Sequence, residues 1–95
     1  MRSNSQSLAE VIKDFLNDYR LNEKVQETNL KTNWEKWMGG TIAKYTTNIR
    51  LNQKKLTLQI DSSVIKNELH FSKQTVIDNL NKELGGIYIL ELIVF

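Results

Sequence analysis

Between Thr46 and Ile60 the apolar residues recur at every second position, whereas on both sides of that stretch they recur at every third or fourth. A chain with this switch is neither all helix nor all strand, because a period of two belongs to a strand and a period near 3.6 to one stripe of a helix. Thr47, Ile49 and Leu51 point one way, and Asn48 and Arg50 the other. Asn52-Gln53-Lys54 supplies a polar turn, after which Leu56, Leu58 and Ile60 alternate with Lys55, Thr57 and Gln59. The pattern predicts a β-hairpin with one dry face and one wet, basic face.

Helical spacing precedes the hairpin. Ser7 followed by Glu10 forms a capping box, and Leu8, Val11, Ile12, Phe15, Leu16 and Tyr19 make one apolar stripe. After Arg20, Asn22 offers a cap to a second helix whose large apolar positions are Val25, Leu30, Trp34 and Trp37, with Glu27 and Lys31 as an i, i+4 pair. Gly39 is the expected stop, and Thr41–Tyr45 is short enough for one further helical turn. Beyond the hairpin, Asp61-Ser62-Ser63 caps a long helix with Val64, Ile65, Leu69, Val76, Ile77, Leu80 and Leu84 on its buried side, and Gly85-Gly86 ends it. The β-branched segment from Ile87 to Phe95 reads as a strand, with Tyr88, Leu90, Leu92 and Val94 toward the core.

The order helix-helix-strand-strand-helix-strand predicts an α+β fold. A right-handed crossover makes the last strand parallel to the second, giving a three-stranded mixed sheet covered on one face by helices. With 95 residues, residues 1–95 form one domain, of which 1–6 are expected to be disordered.

Charge is distributed unevenly. The formal net charge is only +2, yet the run from Lys36 to Ile60 holds Lys36, Lys44, Arg50, Lys54 and Lys55 and no acid. Such a field suits a polyanion, and these five are the candidate nucleic-acid-binding residues; the alternative is a merely solvated face. Trp37 has two readings, a core anchor or an aromatic beside Lys36 and Lys44 that stacks on a base. Gly39-Gly40-Thr41 either ends a helix or presents amides to a phosphate. On the outer side of the terminal strand, Ile89, Ile93 and Phe95 surround Glu91. An apolar row on a wet face calls for cover, so these four are the candidate partner-binding residues, for another protein surface or for a homodimer through this strand.

Enzyme chemistry finds no support. There is no phosphate loop, dinucleotide fingerprint or metal-ligand cluster, and His70 stands alone without any cysteine. No cofactor, metal or small-molecule substrate is expected. No apolar run approaches the roughly 20 residues of a membrane span, and the first residues lack a secretory segment, so a cytoplasmic setting is expected.

Trp34, Gly39, Ile42, Ala43 and Thr46, then Leu56-x-Leu58-x-Ile60-Asp61-Ser62-Ser63, Asn67-Glu68-Leu69, and Leu80-Asn81 before Gly85 resemble the DciA-like family of bacterial proteins. The likeness runs from about residue 8 to the end. It implies a KH-like domain acting in DNA replication, one that binds the DnaB-type replicative helicase and DNA and helps load one on the other. Tyr45 stands where the family often has His, and no basic tail follows Phe95 in this sequence, so the expectation is either weak DNA binding or a role reduced to partner binding. Neither Gly39-Gly40 nor Gly85-Gly86 makes the G-x-x-G clamp by which KH domains hold RNA. Alternative readings are a stand-alone nucleic-acid-binding domain, perhaps for RNA, and an interaction or oligomerisation protein with no nucleic-acid role.

Overall fold

The computed structural model describes residues 7–95, without the side chains of Leu16 and Asn17. The disorder expected of residues 1–6 and the place of Leu16 in the N-terminal stripe lie outside the described residues. Helix α1 runs over Leu8–Met38 and α2 over Gly40–Tyr45. Strands β1, Thr46–Asn52, and β2, Lys55–Ile60, form the hairpin. Then come α3, Ser63–Phe71, α4, Lys73–Leu84, and β3, Glu91–Val94. The sheet order is β1-β2-β3, with β1 antiparallel and β3 parallel to β2, as the crossover argument requires.

Register places Ile49, Leu51, Leu56, Leu58, Leu92 and Val94 on one face, and all six are buried. Leu30 and Trp34 of α1, Ile65 and Leu69 of α3, and Val76, Ile77 and Leu80 of α4 complete the core. Burying a side chain of this size stabilises by roughly 1.5 to 3 kcal/mol. The other face, with Asn48, Arg50, Lys55, Gln59 and Glu91, is exposed.

Four expectations are corrected. The first two helices are one: Asn22, expected to cap a second helix, lies inside α1 and its Oδ1 accepts from Gln26 Nε2 at 3.5 Å. No glycine or proline lies between Leu8 and Met38 to break the ladder. Conversely, the long helix after the hairpin is two. Ser72 leaves helical geometry at φ −115° and ψ 18°, and α3 and α4 on either side each bury their own stripe. Val64, expected inside, is exposed.

The N-terminal stripe is the third correction. Leu8, Val11, Ile12 and Phe15 are exposed, for α1 at about 46 Å by its rise overshoots the sheet, in a molecule 57 Å long and 21 × 20 Å across. Val25 is exposed as well, and Gln26, held by Asn22 and Asn29, takes the inward position instead.

The fourth concerns the chain end. The strand begins at Glu91, so alternation holds for Leu92 and Val94 but fails before them. Ile89 is fully buried and Leu90 exposed, the reverse of the expected phase. The cause is Asn81, whose Oδ1 accepts from Tyr88 N–H at 3.1 Å and Ile89 N–H at 2.8 Å, while its Nδ2 donates to the Ile89 carbonyl at 2.8 Å. Residues 87–90 are thus clamped to α4 as a loop rather than paired as strand.

Candidate nucleic-acid interface

The hairpin turn is the key to where the predicted cations lie. Gln53 and Lys54 have φ of 50° and 61°, the left-handed pair of a two-residue turn that is more often built with Asn or Gly. Helix α1 holds this turn. Glu23 Oε2 accepts from Lys54 N–H at 3.0 Å, and Glu27 Oε1 accepts from Leu51 N–H at 2.8 Å, which occupies one outward amide of the β1 edge. The chain end holds it from the other side: Lys54 Nζ donates to the Ile87 carbonyl at 2.6 Å, and the Lys54 carbonyl accepts from Leu90 and Glu91.

Lys54 is therefore half-buried in internal bonds rather than free for phosphate. Arg50 and Lys55 stand exposed on the outer sheet face, diagonal across the β1–β2 ladder, with Glu91 beside Lys55 in register. Lys36 and Lys44 are exposed at the α1–α2 junction, where β1 starts, about 20 Å from the turn by strand rise. Lys44 Nζ lies 5.6 Å from the Tyr45 ring centroid. The structure thus divides the five into Arg50 and Lys55 on the outer sheet face, Lys36 and Lys44 at the α1–α2 junction and Lys54 in the turn, and Trp37 is half-buried against the core.

Three cations outside the predicted run were missed. A groove of about 360 Å³ between α1 and the β1 edge is lined by Arg20, Lys24 and Arg50 together with Glu23, Glu27 and Leu51. A second groove further along the same edge holds Lys31 with Thr46, Thr47 and Asn48. Positions 20, 24 and 31 fall within about 40° on a helical wheel, so their spacing carried the signal once α1 is one helix. Counting charge along the chain hid it, because residues 1–35 carry six acids against five cations, while the carboxylates of Glu23 and Glu27 turn onto hairpin amides. Glu27 also contacts Lys31 at 3.7 Å, the predicted i, i+4 pair.

At the far side of the turn, Tyr19, Asn22, Glu23, Lys54 and Tyr88 line a cavity of about 220 Å³. Burial and, second, the Glu23 carboxylate hold the Tyr19 phenol above its ordinary range. Among the described residues no cluster of His, Asp or Glu suits a metal ion, and no helix is long and apolar enough to cross a membrane.

Residues 7–94 match the family described as Dna[CI] antecedent, DciA. The chain belongs to the DciA family. This is a non-enzymatic, helicase-loading family, and membership gives the chain a replication-related role. No curated protein matches the chain. Some of the residues that carry the DciA resemblance are core, while others, such as Asp61, Asn67 and Glu68, are exposed. Trp34 is 4% exposed, and its Nε1 donates to Thr46 Oγ1 at 2.9 Å, which in turn donates to the Ile42 carbonyl at 2.6 Å. Gly39, at φ 92°, turns the chain from α1 into α2, where a side chain would be strained.

Of the four partner-binding candidates, Glu91 and Phe95 are exposed and Ile93 is half-buried on the outer sheet face. Ile89 is removed from the set, since it is core.

Proposed function

We propose that this chain is a cytoplasmic, non-enzymatic binding module that engages the DnaB-type replicative helicase and binds DNA weakly, assisting helicase loading. The family match across residues 7–94 carries the reading. Its KH-like character is of a kind without the RNA clamp, since the α3–α4 turn, Phe71-Ser72-Lys73, contains no glycine. The DNA-contacting surface is the α1–β1 groove with Arg20, Lys24 and Arg50, extended by Lys55 on the outer sheet face and, at the other end of β1, by Lys36 and Lys44. The helicase-facing surface is the uncovered outer face at Glu91, Ile93 and Phe95.

Two measurements test this. Co-sedimentation with the replicative helicase of the same organism should show binding that Ile93→Lys weakens; absence of binding would leave only a nucleic-acid role. For DNA, fluorescence anisotropy should give micromolar or weaker affinity that falls with salt, each neutralised phosphate contributing about −0.9 to the slope of log K against log salt. Replacing Arg20, Lys24 and Arg50 by Ala should flatten the slope by up to about three units. An unchanged slope would exclude the groove, and no binding at low salt would exclude DNA.

A further inference from the structure

Exposed large apolar residues gather at one end of the molecule. Leu8, Val11, Ile12 and Phe15 line the part of α1 that overshoots the sheet, and Ile87 and Leu90 lie in the loop that meets the hairpin turn. Their exposures run from 48% to 75%. The two groups adjoin, because Tyr19, one turn on from Phe15, and Tyr88, between Ile87 and Leu90, line the same cavity. Lys54 ties the corner together through its bonds to Ile87 and Leu90. The result is a protruding apolar ridge beside a corner that exposes Ile87 and Leu90, next to the cavity of Tyr19, Asn22, Glu23, Lys54 and Tyr88.

We propose that a second copy of this chain covers this end, with the α1 ridge of each copy seated in the corner of the other. This goes beyond the helicase and DNA reading and uses different residues. Four observations select a second copy as the occupant. The ridge and the corner lie side by side on one chain, so a two-fold axis between copies uses both surfaces twice, as an isologous interface requires. Second, the six side chains leave open roughly 700 Å² per copy, at about 200 Å² for a large apolar residue. Doubled, that is about 1,400 Å², inside the range of roughly 1,200–2,000 Å² that stable protein interfaces bury.

Third, among the charged residues of the ridge segment Glu10, Lys13 and Asp14 lie more than about 90° around the helix from the stripe centre and Asp18 borders the stripe at about 70°, leaving most of the contact apolar as homodimer interfaces tend to be. Fourth, a net charge of +2 leaves little repulsion between copies.

The test is sedimentation velocity of the full chain from low to high micromolar concentration, on the wild type and on two double variants. One is Ile12→Lys with Phe15→Lys on the ridge, and the other is Ile87→Lys with Leu90→Lys in the corner. None of these side chains enters the core, so both variants should melt like the wild type; a variant that does not is replaced by the matching pair of Ser substitutions. The expected result is a concentration-dependent dimer whose Kd rises about tenfold or more in each variant. A chain that stays monomeric throughout overturns the proposal, as does a dimer that either variant leaves intact. Monomers whose helicase binding is lost in these variants would also overturn it and give the corner to the helicase, whereas loss of helicase binding by Ile93→Lys alone bears only on the outer sheet face.

Discussion

Asn81 is where one side chain determines the course of the chain end, and replacing it gives the sharpest test of the fold. The residue is 7% exposed and makes three hydrogen bonds, two to the buried amide and carbonyl of Ile89 and one to the half-buried amide of Tyr88. Asn81→Ala strands all three backbone groups. At about 1 to 3 kcal/mol for each buried unpaired group and less for the half-wet one, the loss is roughly 3 to 6 kcal/mol. A domain of this size has about 5 to 14 kcal/mol in all, so the variant should be close to unfolding. Urea denaturation should show the midpoint falling by roughly 1 M or more. Asn81→Asp discriminates further. It keeps both acceptor bonds, which favour the anion, but turns an anionic oxygen on the Ile89 carbonyl in a buried site; with burial and that repulsion outweighing the two N–H bonds, the carboxyl pKa in the folded state should rise above its unfolded value of about 3.9. Its stabilising contribution is then full below that value, where the protonated acid again donates, and is lost as pH rises through the folded pKa. The variant should therefore gain stability relative to wild type on acidification. A change under about 1 kcal/mol for Asn81→Ala, or an acid response of Asn81→Asp that merely parallels wild type, would refute the clamp.

Trp34→Ala should destabilise by roughly 3 to 5 kcal/mol through loss of a buried aromatic, whereas Thr46→Val should cost about 1 to 3 kcal/mol by leaving the indole N–H unpaired; thermal melts of the two variants check the ranking. Glu23→Gln should lower the Tyr19 pKa part of the way toward its ordinary value of 10.0, since the carboxylate is the lesser of two causes, and NMR titration of the Tyr19 ring reads it directly. Because that pKa is raised in the folded state, Tyr19 has no effect on stability below the ordinary tyrosine range and counts against folding as pH rises above it.

Which parts of this fold the sequence discloses follows from how local each determinant is. The hairpin is legible from Asn48 on, because alternation and a polar turn are adjacent in the chain, whereas a register shift between Thr46 and Asn48 leaves Thr47 exposed instead of on the dry face; the parallel last strand follows from crossover handedness. Trp34 and Gly39 read correctly as structural because burial of a large aromatic and a left-handed stop need no knowledge of neighbours. The illegible features each depend on something distant. Asn22 shows the same polar side chain whether it caps a helix or bonds Gln26 within one. The break at Ser72 comes without a glycine or proline to announce it, and the inverted phase of Ile89 and Leu90 is imposed by Asn81 from the preceding helix. For the candidate site the difficulty is of another kind. Lys54 counts as a free cation by composition but spends its ammonium on a backbone carbonyl, while Arg20, Lys24 and Lys31 vanish into a segment whose acids bond amides of the hairpin.

The residues that reveal the family and the residues that would do its work are therefore different sets. Trp34, Ile42 and Thr46 form one internal hydrogen-bonded chain, Asn81 clamps a loop, and Gly39 and Gly85, at φ 92° and 82°, permit turns. Such positions specify a scaffold, and finding them in a new chain transfers the scaffold. The surfaces are set by α1 instead, because a single 31-residue helix carries a basic flank along the β1 edge and an apolar stripe past the end of the sheet. Had Asn22 ended a first helix there, the segment from Leu8 to Tyr19 would have been free to fold back and cover its own stripe. Continuity through Asn22, with Glu23 and Glu27 fastened to the hairpin on the following turns, holds that stripe out in the solvent and keeps the cations of the groove in line with the strand edge.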